Sequence, residues 1–449
     1  MITLSLSETA TLLGCIDSFL DKNYNGVSID TRTLKAGQLF VAIPGEQFDG
    51  HDFISDAEKK GAVAVLVSRK TDSVSIPQLS VPDTILALGK LGAYWRSRFT
   101  LPLIAVTGSN GKTTLKNMIG SILRAACGGN ADQCLITQGN YNNHIGLPLN
   151  LLRLSSEHRY GVLEMGMNHF GEISYLSNMT KPQVAVINNA AAAHLEGVGD
   201  LAGVARAKGE IFEGLDKNGV AILNNDDGQV SYWKKCIGNT KTLTFGLDHP
   251  ADITATLMDG RSIELVTPKG RIALTLPLLG RHNIMNALAA TAATLAIDID
   301  LPTIKQGLES VSAEKGRMQP YTLSSGAYLI NDTYNANPPS LRAAVNTLAT
   351  FPGTRVLVLA DMKELGDETV ELHYRSGEHV REQGIQHLLT FGELSKHAAE
   401  GFGETARHFT NLEELIAALE PFLVKETTIL IKGSRSMRME RVVEKLHDH

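Results

Sequence analysis

Ile104-Ala-Val-Thr-Gly-Ser-Asn-Gly-Lys-Thr-Thr114 runs from an apolar strand through a glycine-containing turn into a helix. Leu115, Met118, Ile119, Ile122 and Leu123 continue the helix with apolar residues at helical spacing. This layout cradles phosphate. Backbone N–H groups freed by Gly108 and Gly111 point into a nest, and the helix N-terminus adds partial positive charge. Ser109, Asn110 and Thr114 complete the loop; Lys112 is placed to reach the terminal phosphates and the Thr113 hydroxyl to sit on Mg²⁺. The spelling departs from the usual GxxxxGK[ST], because Val106 occupies the first glycine position and Gly108 comes two residues late. A glycine turn between strand and helix is often only a connection. Gly-Lys-Thr-Thr after a Leu-Ile-Ala-Val strand nevertheless predicts ATP or GTP, without saying what the phosphoryl group is used for.

Composition narrows the class. A chain of 449 residues is long enough for two or three domains. Hydrophobic content of 43% and charged content of 20% are those of a soluble globular protein with ample core. The net charge is −6 with no basic block, which argues against a nucleic-acid partner. Cys15, Cys127, Cys134 and Cys236 are scattered without CxxC spacing, which predicts buried free thiols in a reducing compartment. The N-terminus lacks the basic and apolar regions of a signal peptide, and no stretch approaches the roughly 20 apolar residues of a membrane span. The expectation is a cytoplasmic protein, with monomer as the default.

Residues 1–82 read as a small α/β unit. Ser7 to Phe19 has helical spacing, and Gln38 to Ile43 and Ala62 to Val67 are buried-strand runs. Val27-Ser-Ile-Asp-Thr-Arg-Thr33 and the turn-rich loop Pro44 to Phe53 could bind an anionic, hydroxylated ligand. On the residues alone, a solvated loop is the favoured reading. Pro77 to Pro82 reads as a linker and Thr84 to Arg98 as a helix.

From 83 to 314, strands such as Tyr160–Glu164, Val184–Asn188 and Val220–Asn224 alternate with helices, which predicts a mostly parallel sheet. Ile253 to Leu276, broken at Asp259-Gly260 and Lys269-Gly270, reads as antiparallel hairpins. An alanine-rich helix, Asn283 to Ala296, follows. From 315 to 449 a second strand–helix alternation predicts a doubly wound domain with ligands at the strand carboxyl ends. The segments just past those ends are polar: Asp332 to Pro338, Asp361 to Glu364 and Lys432 to Arg435.

Glu164 ends an apolar strand where phosphate-loop proteins place an acidic Mg²⁺ partner. His194 follows an unusual Asn-Asn-Ala-Ala-Ala-Ala run, and Lys208 falls on a predicted helix; a structural histidine and a solvated lysine are the plain readings of both. No guanine-reading NKxD occurs, since 224–227 reads Asn-Asn-Asp-Asp. The extra α/β domain suits phosphoryl transfer to a second substrate better than a motor or switch.

Together these motifs resemble the ATP-dependent Mur ligases, which build the peptide of the bacterial cell-wall precursor. The short loop TGxNGKT is that family's form, and Thr107 to Thr113 matches it. Gly139-Asn-Tyr-Asn-Asn-His-Ile-Gly146, Ala207 to Phe212 and Gly280 to Ala287 are family-like as well, and the resemblance spans the whole chain. It implies a UDP-sugar domain (1–82), a central ATPase (83–314) and a Rossmann-like ligase domain (315–449). Asp332 to Pro338, Asp361 to Gly366 and the Asp30-Thr-Arg32 … Leu39 to Ala42 pattern resemble the branch that adds D-alanyl-D-alanine to UDP-N-acetylmuramoyl-tripeptide. The sister ligase adding the third residue carries a DNPR-type signature that is absent here, and folylpolyglutamate synthases lack the N-terminal domain. A nucleotide-binding switch is the non-catalytic alternative.

The resemblance implies roles residue by residue. Lys112 binds the β/γ-phosphates and Thr113 one Mg²⁺. Glu164, His194 and Lys208 serve two Mg²⁺ sites, Lys208 as a CO₂-derived carbamate. Asn286 lies on the adenine side, Arg317 faces the phosphates, and Asp332 with Asn335 lies near the ribose. Ser28, Thr31, Arg32, Asp49 and His51 hold the UDP part, and Asn140, Asn142 and Asn143 the reacting end of the substrate. Asp361, Lys363, Lys432 and Ser434 are the candidates to position the incoming amine.

Overall fold

The structure, a computed structural model, describes residues 1–15, 22–45, 47–191, 195–258 and 262–447. Six parallel strands make the central sheet. Their order is Lys241–Phe245, Val220–Asn224, Val184–Ile187, Leu103–Thr107, Tyr160–Glu164, Cys134–Ile136. Leu103–Thr107 is buried at every residue, as expected of a strand covered on both faces. Its side chains alternate between two cores. Ile104 and Val106 join Leu115, Met118 and the alanine-rich helix Arg281–Leu295 on one face. Leu103 and Ala105 join Leu88 and Ile173 on the other.

From Leu103–Thr107 the chain first builds the Tyr160–Glu164 side and then crosses to Val184–Ile187. The carboxyl end of Leu103–Thr107 is therefore the switch point of the sheet, where open α/β folds bind ligands. A separate three-stranded antiparallel sheet, Thr254–Leu257, Ser262–Thr267 and Gly270–Thr275, matches the expected hairpins. The expected turn at Asp259-Gly260 lies outside the described residues.

The C-terminal sheet runs Gln319–Thr322, Tyr328–Asp332, Thr427–Lys432, Thr354–Ala360, His387–Phe391, Arg407–Phe409. The first pair is antiparallel and the rest parallel. The N-terminal sheet is parallel and sequential: Val27–Ser28, Leu39–Val41, Ala64–Val67, Gln78–Ser80.

Three expectations change. Pro77 to Pro82 is no linker, because Gln78–Ser80 is the edge strand of that N-terminal sheet with Leu79 fully buried. An edge position tolerates flanking prolines, and three residues are too few for a visible alternation. The first helix spans Leu6–Leu13, and Gly14 closes it in the left-handed conformation at φ 73; the end of the predicted helix, from 16 to 19, lies outside the described residues. None of the four cysteines forms a disulfide, but only Cys127 and Cys134 are buried, while Cys236 is exposed. The N-terminal segment also packs as part of the central unit: Ile2, Leu4 and Leu6 share one core with Leu151, Leu154 and Leu163, and Ile2 N–H donates to Leu152 O at 2.7 Å.

Candidate functional site

The phosphate loop joins Leu103–Thr107 to the helix Lys112–Ala126. Gly111 precedes that helix at φ 76, and a Cβ there would stand 2.8 Å from both Asn188 Nδ2 and Asn286 Oδ1. Conformation and space both call for glycine. Two asparagines following Val184–Ile187 tie the loop down. Asn188 Nδ2 and Asn189 Nδ2 each donate to Asn110 O at 3.0 Å, and Asn110 N–H donates to Asn189 Oδ1 at 2.9 Å. Ser109 Oγ donates to Ala191 O at 3.0 Å. Lys112 folds back along its own loop, donating from Nζ to Gly108 O (2.7 Å) and Ser109 O (3.3 Å). Burial lowers the pKa of that ammonium; Glu164 opposes the shift and Arg317 adds to it.

Residues Ser109 to Thr114 line a cleft of ≈ 690 Å³ between the central and C-terminal units, within the size range of small-molecule sites. Glu164 and Lys208 reach it from the central unit, Arg317 from the junction, and Asp332, Asn335, Lys363 and Lys432 from the C-terminal strand ends. Asn142, Asn143 and Asn286 also line it, whereas Asn140 does not. His194 lies outside the described residues.

Arg317 bridges the two units. Its Nη2 donates to Thr113 Oγ1 at 3.1 Å, its guanidinium stacks 3.9 Å over the Tyr334 ring, and its buried Nε makes no hydrogen bond but lies 4.0 Å from Glu314 Oε2. A second link runs from Asn337 Nδ2 to Asn110 Oδ1 at 3.0 Å. Glu164 Oε1 accepts from Asn142 Nδ2 at 2.9 Å, while the buried Oε2 accepts no hydrogen bond. Lys208 is 2% exposed. Burial drives its pKa well below that of an ordinary lysine, with Lys112 adding as a like charge and Asp227 opposing. Lys112 and Arg317 present cationic groups to the part of the cleft where the phosphates are expected, with Glu164 and Glu314 lining it as well.

Among the described residues no group of three or more His, Cys, Asp and Glu side chains is placed to hold a metal ion. The donor set nevertheless fits a cation that keeps several ligand or water oxygens. Glu164 Oε2 is a hard oxygen with unmet lone pairs, buried beside the phosphate loop.

In the C-terminal unit the expected residues divide. Lys432 Nζ donates to Asp332 Oδ2 (2.6 Å) and Asn335 O (2.9 Å), and Asp332 Oδ1 accepts from Met318 N–H (3.1 Å). Asp361 and Ser434 do not line the cleft. Asp361 accepts from the N–H groups of Glu393, Leu394 and Ser395 and from Lys363 Nζ (3.0 Å). Ser434 Oγ accepts from Lys363 N–H at 2.8 Å. Both hold Lys363, the residue of this loop that does face the cleft. Lys432 and Asp332 form a buried pair whose partners cannot be removed one at a time without leaving an uncompensated charge. Lys432→Met is expected to destabilise the protein by about 3–5 kcal/mol, with Asp332→Asn/Lys432→Met losing less; denaturant unfolding of the two variants checks this.

The N-terminal candidates lie away from the cleft. Arg32 is exposed and its guanidinium is bound to Asp30, with Nη2 2.7 Å from Oδ2. Ser28 Oγ donates to Asp30 O at 3.0 Å, and Thr31 O accepts from Lys60 Nζ at 2.6 Å. His51 is buried: its Nδ1 lies 2.6 Å from Asp49 Oδ1, and its Nε2 accepts from Ser68 N–H at 3.0 Å. Asp49 also accepts from Arg69 Nη2 at 2.7 Å. With both ring nitrogens engaged, His51 clasps the Asp49 loop to the end of Ala64–Val67.

Sequence reasoning overlooked Lys116, Asn188, Asn189 and Asn337. The Asn-Asn pair at a strand end was the available signal, since asparagines there readily bond neighbouring backbone.

Three family models match the chain: "Mur ligase family, catalytic domain" over residues 23–94, "Mur ligase middle domain" over 106–294 and "Mur ligase, glutamate ligase domain" over 316–435. The chain is similar to the UDP-N-acetylmuramoyl-tripeptide–D-alanyl-D-alanine ligase of Escherichia coli K12, at 44% identity over 100% of this chain and 99% of that protein. The ligase of the same name from Bacillus subtilis 168 is 36% identical over 94% and 93%. Among solved structures, MurF from Acinetobacter baumannii superposes with a TM-score of 0.93 at 35% identity over 100% of both chains. MurF ligase from Thermotoga maritima in complex with ADP gives 0.84 at 27% identity, over 94% of this chain and 97% of that one.

Proposed function

The chain belongs to the Mur ligase family, and from that premise we propose that it is an ATP-dependent amide ligase joining D-alanyl-D-alanine to UDP-N-acetylmuramoyl-tripeptide. The product is the pentapeptide precursor of peptidoglycan. One observation carries the reading: similarity to the E. coli ligase of that name runs the full length of both chains at 44% identity. The ADP-bound relative supports ATP as the nucleotide. We place the domain boundaries at 1–82, 83–314 and 315–449. No helix among the described residues is long and apolar enough to cross a membrane, in keeping with a cytoplasmic enzyme; monomer is the proposed state.

A carboxylate is a poor acyl electrophile. In the proposed reaction its oxygen attacks the γ-phosphorus of ATP and the bond to ADP breaks, leaving an acyl phosphate. The amine nitrogen of D-alanyl-D-alanine then attacks the acyl carbon, a proton leaves the nitrogen, and phosphate departs. Lys112 swings from its loop carbonyls to the terminal phosphates, and Arg317 supplies its Nε, which makes no hydrogen bond within the protein, to the same charge. Thr113 and Glu164 are the residues that would hold Mg²⁺. When bound, it neutralises phosphate charge as the phosphoryl group moves in line. Lys208 and His194 are assigned to a second Mg²⁺, Lys208 as a carbamate. Its burial favours the neutral amine that adds to CO₂ with loss of a proton. Asn286 and Asn335 complete the nucleotide side, and Asn140, Asn142 and Asn143 the acceptor side. Lys363 and Lys432, braced by Asp361, Ser434 and Asp332, face the incoming amine. Ser28, Thr31, Arg32, Asp49 and His51 are assigned to the UDP end. Enclosure between two units keeps water from the acyl phosphate.

Phosphate release with UDP-N-acetylmuramoyl-tripeptide tests the reading. It is expected to depend on D-alanyl-D-alanine and to stay near background with diaminopimelate, lysine or glutamate. ATP binding without amine-dependent release would instead identify a nucleotide switch.

A further inference from the structure

Lys116 lies one turn beyond Lys112 on the helix Lys112–Ala126, and no role in the reaction above uses it. Its side chain is only 3% exposed, an unusual setting for a lysine. The ammonium has two neighbours of opposite polarity. Nζ donates to Gly139 O at 3.4 Å and stands 3.9 Å from Glu164 Oε2.

Those neighbours belong to different parts of the site. Gly139, at φ 50, opens the turn that carries Asn140, Asn142 and Asn143. Glu164 is fixed on its other sides, its N–H donating to Thr137 Oγ1 at 2.9 Å and its Oε1 accepting from Asn142. Oε2 is the free oxygen, and the attraction of Lys116 reaches it without a hydrogen bond. The bond to Gly139 O is long and has room to shorten.

A divalent cation taking Oε2 would repel a neighbouring ammonium, and in this buried setting the repulsion is several times stronger than in water. The lysine stem can pivot toward the Gly139 carbonyl, which already accepts from it.

We propose that Lys116 is a positioning residue that couples cation binding at Glu164 to the placement of the 139–143 loop. The cation displaces the ammonium from Oε2 and drives it onto the Gly139 carbonyl, tightening the turn that presents Asn142 and Asn143 to the cleft. The loop that meets the acceptor is thereby set only once the metal is in place.

The inference rests on the assignment of Glu164 to a cation, and Glu164→Gln tests that assignment alone: Mn²⁺ binding to the ADP complex, followed by electron paramagnetic resonance, should be lost. Undiminished Mn²⁺ binding would remove the premise. The coupling itself is read by amide hydrogen exchange on the full chain with ADP, with and without Mg²⁺. In the wild type, Mg²⁺ should slow exchange at 139–143 about tenfold. Lys116→Met should bind Mn²⁺ at least as tightly as the wild type yet show no Mg²⁺-dependent slowing. Lys116→Gln, which keeps a donor but no charge, should leave exchange independent of Mg²⁺. A Mg²⁺ response that persists in either variant overturns the proposal. So does its absence in the wild type, whether or not the variants fold.

Discussion

Lys112→Ala should reduce ligation at least about 10³-fold while leaving the fold intact. Its ammonium is the group on the phosphate loop that can follow negative charge as the γ-phosphoryl group moves. Removing one preorganised donor from such a site typically costs about 10²–10³-fold, and the loss here includes a full charge. Stability should change little, because the side chain meets only Gly108 O and Ser109 O, two carbonyls that water can serve. The helix behind it is anchored by Leu115, Met118, Ile119 and Ile122, all fully buried. Phosphate release and thermal melting measured together decide the matter. Residual turnover above a few per cent of wild type, with normal melting, would move the nucleotide elsewhere.

Lys208→Ala is the second large effect, expected at about 10²–10³-fold, equivalent to a few kcal/mol of transition-state stabilisation. The unmodified side chain is an awkward element: a second lysine near Lys112, almost completely buried, with Asp227 as the opposing charge. Burial that disfavours the charged ammonium is unhelpful for binding phosphate but favourable for reaction with CO₂. The carbamate so formed reverses the sign of the site from amine to carboxylate. Formate or acetate should therefore restore part of the activity of Lys208→Ala, and wild-type activity should fall on removal of CO₂ and return with bicarbonate. Full activity of the variant in CO₂-free buffer would refute the modification.

The phosphate loop could be read in advance because its signal is local: an apolar strand, a glycine turn and a helix occupy consecutive residues. The buried strands of both large sheets were legible for the same reason, since burial on two faces leaves uninterrupted apolar runs. Edge strands were not. Cys134–Ile136 has three residues and Lys241–Phe245 is buried only at its end, so neither carries a pattern that separates it from a loop. The site was legible in composition more than in geometry. The polar loops past the C-terminal strands do meet at the cleft, but which side chain faces it depends on contacts across the fold. Asp361 has the residue type of a ligand, yet Gly392 lets the 393–395 backbone close around it; a Cβ there would collide with the carboxylate. Asn337 caps the helix Pro338–Ala349. Its bond to Asn110 spans 227 residues of sequence, beyond any periodicity.

The packing of Ile2, Leu4 and Leu6 against Leu151, Leu154 and Leu163 sets an order of events during synthesis. Domains generally fold as they emerge from the ribosome, N-terminal first. Here Ile2, Leu4 and Leu6 have their apolar partners, and the carbonyl that accepts from Ile2, some 150 positions downstream. This segment therefore stays without its native packing until the central sheet is largely made. The small N-terminal sheet can form early, but its leading segment is fastened only when the ATPase half arrives. Completion of the N-terminal unit is thus tied to completion of the central one.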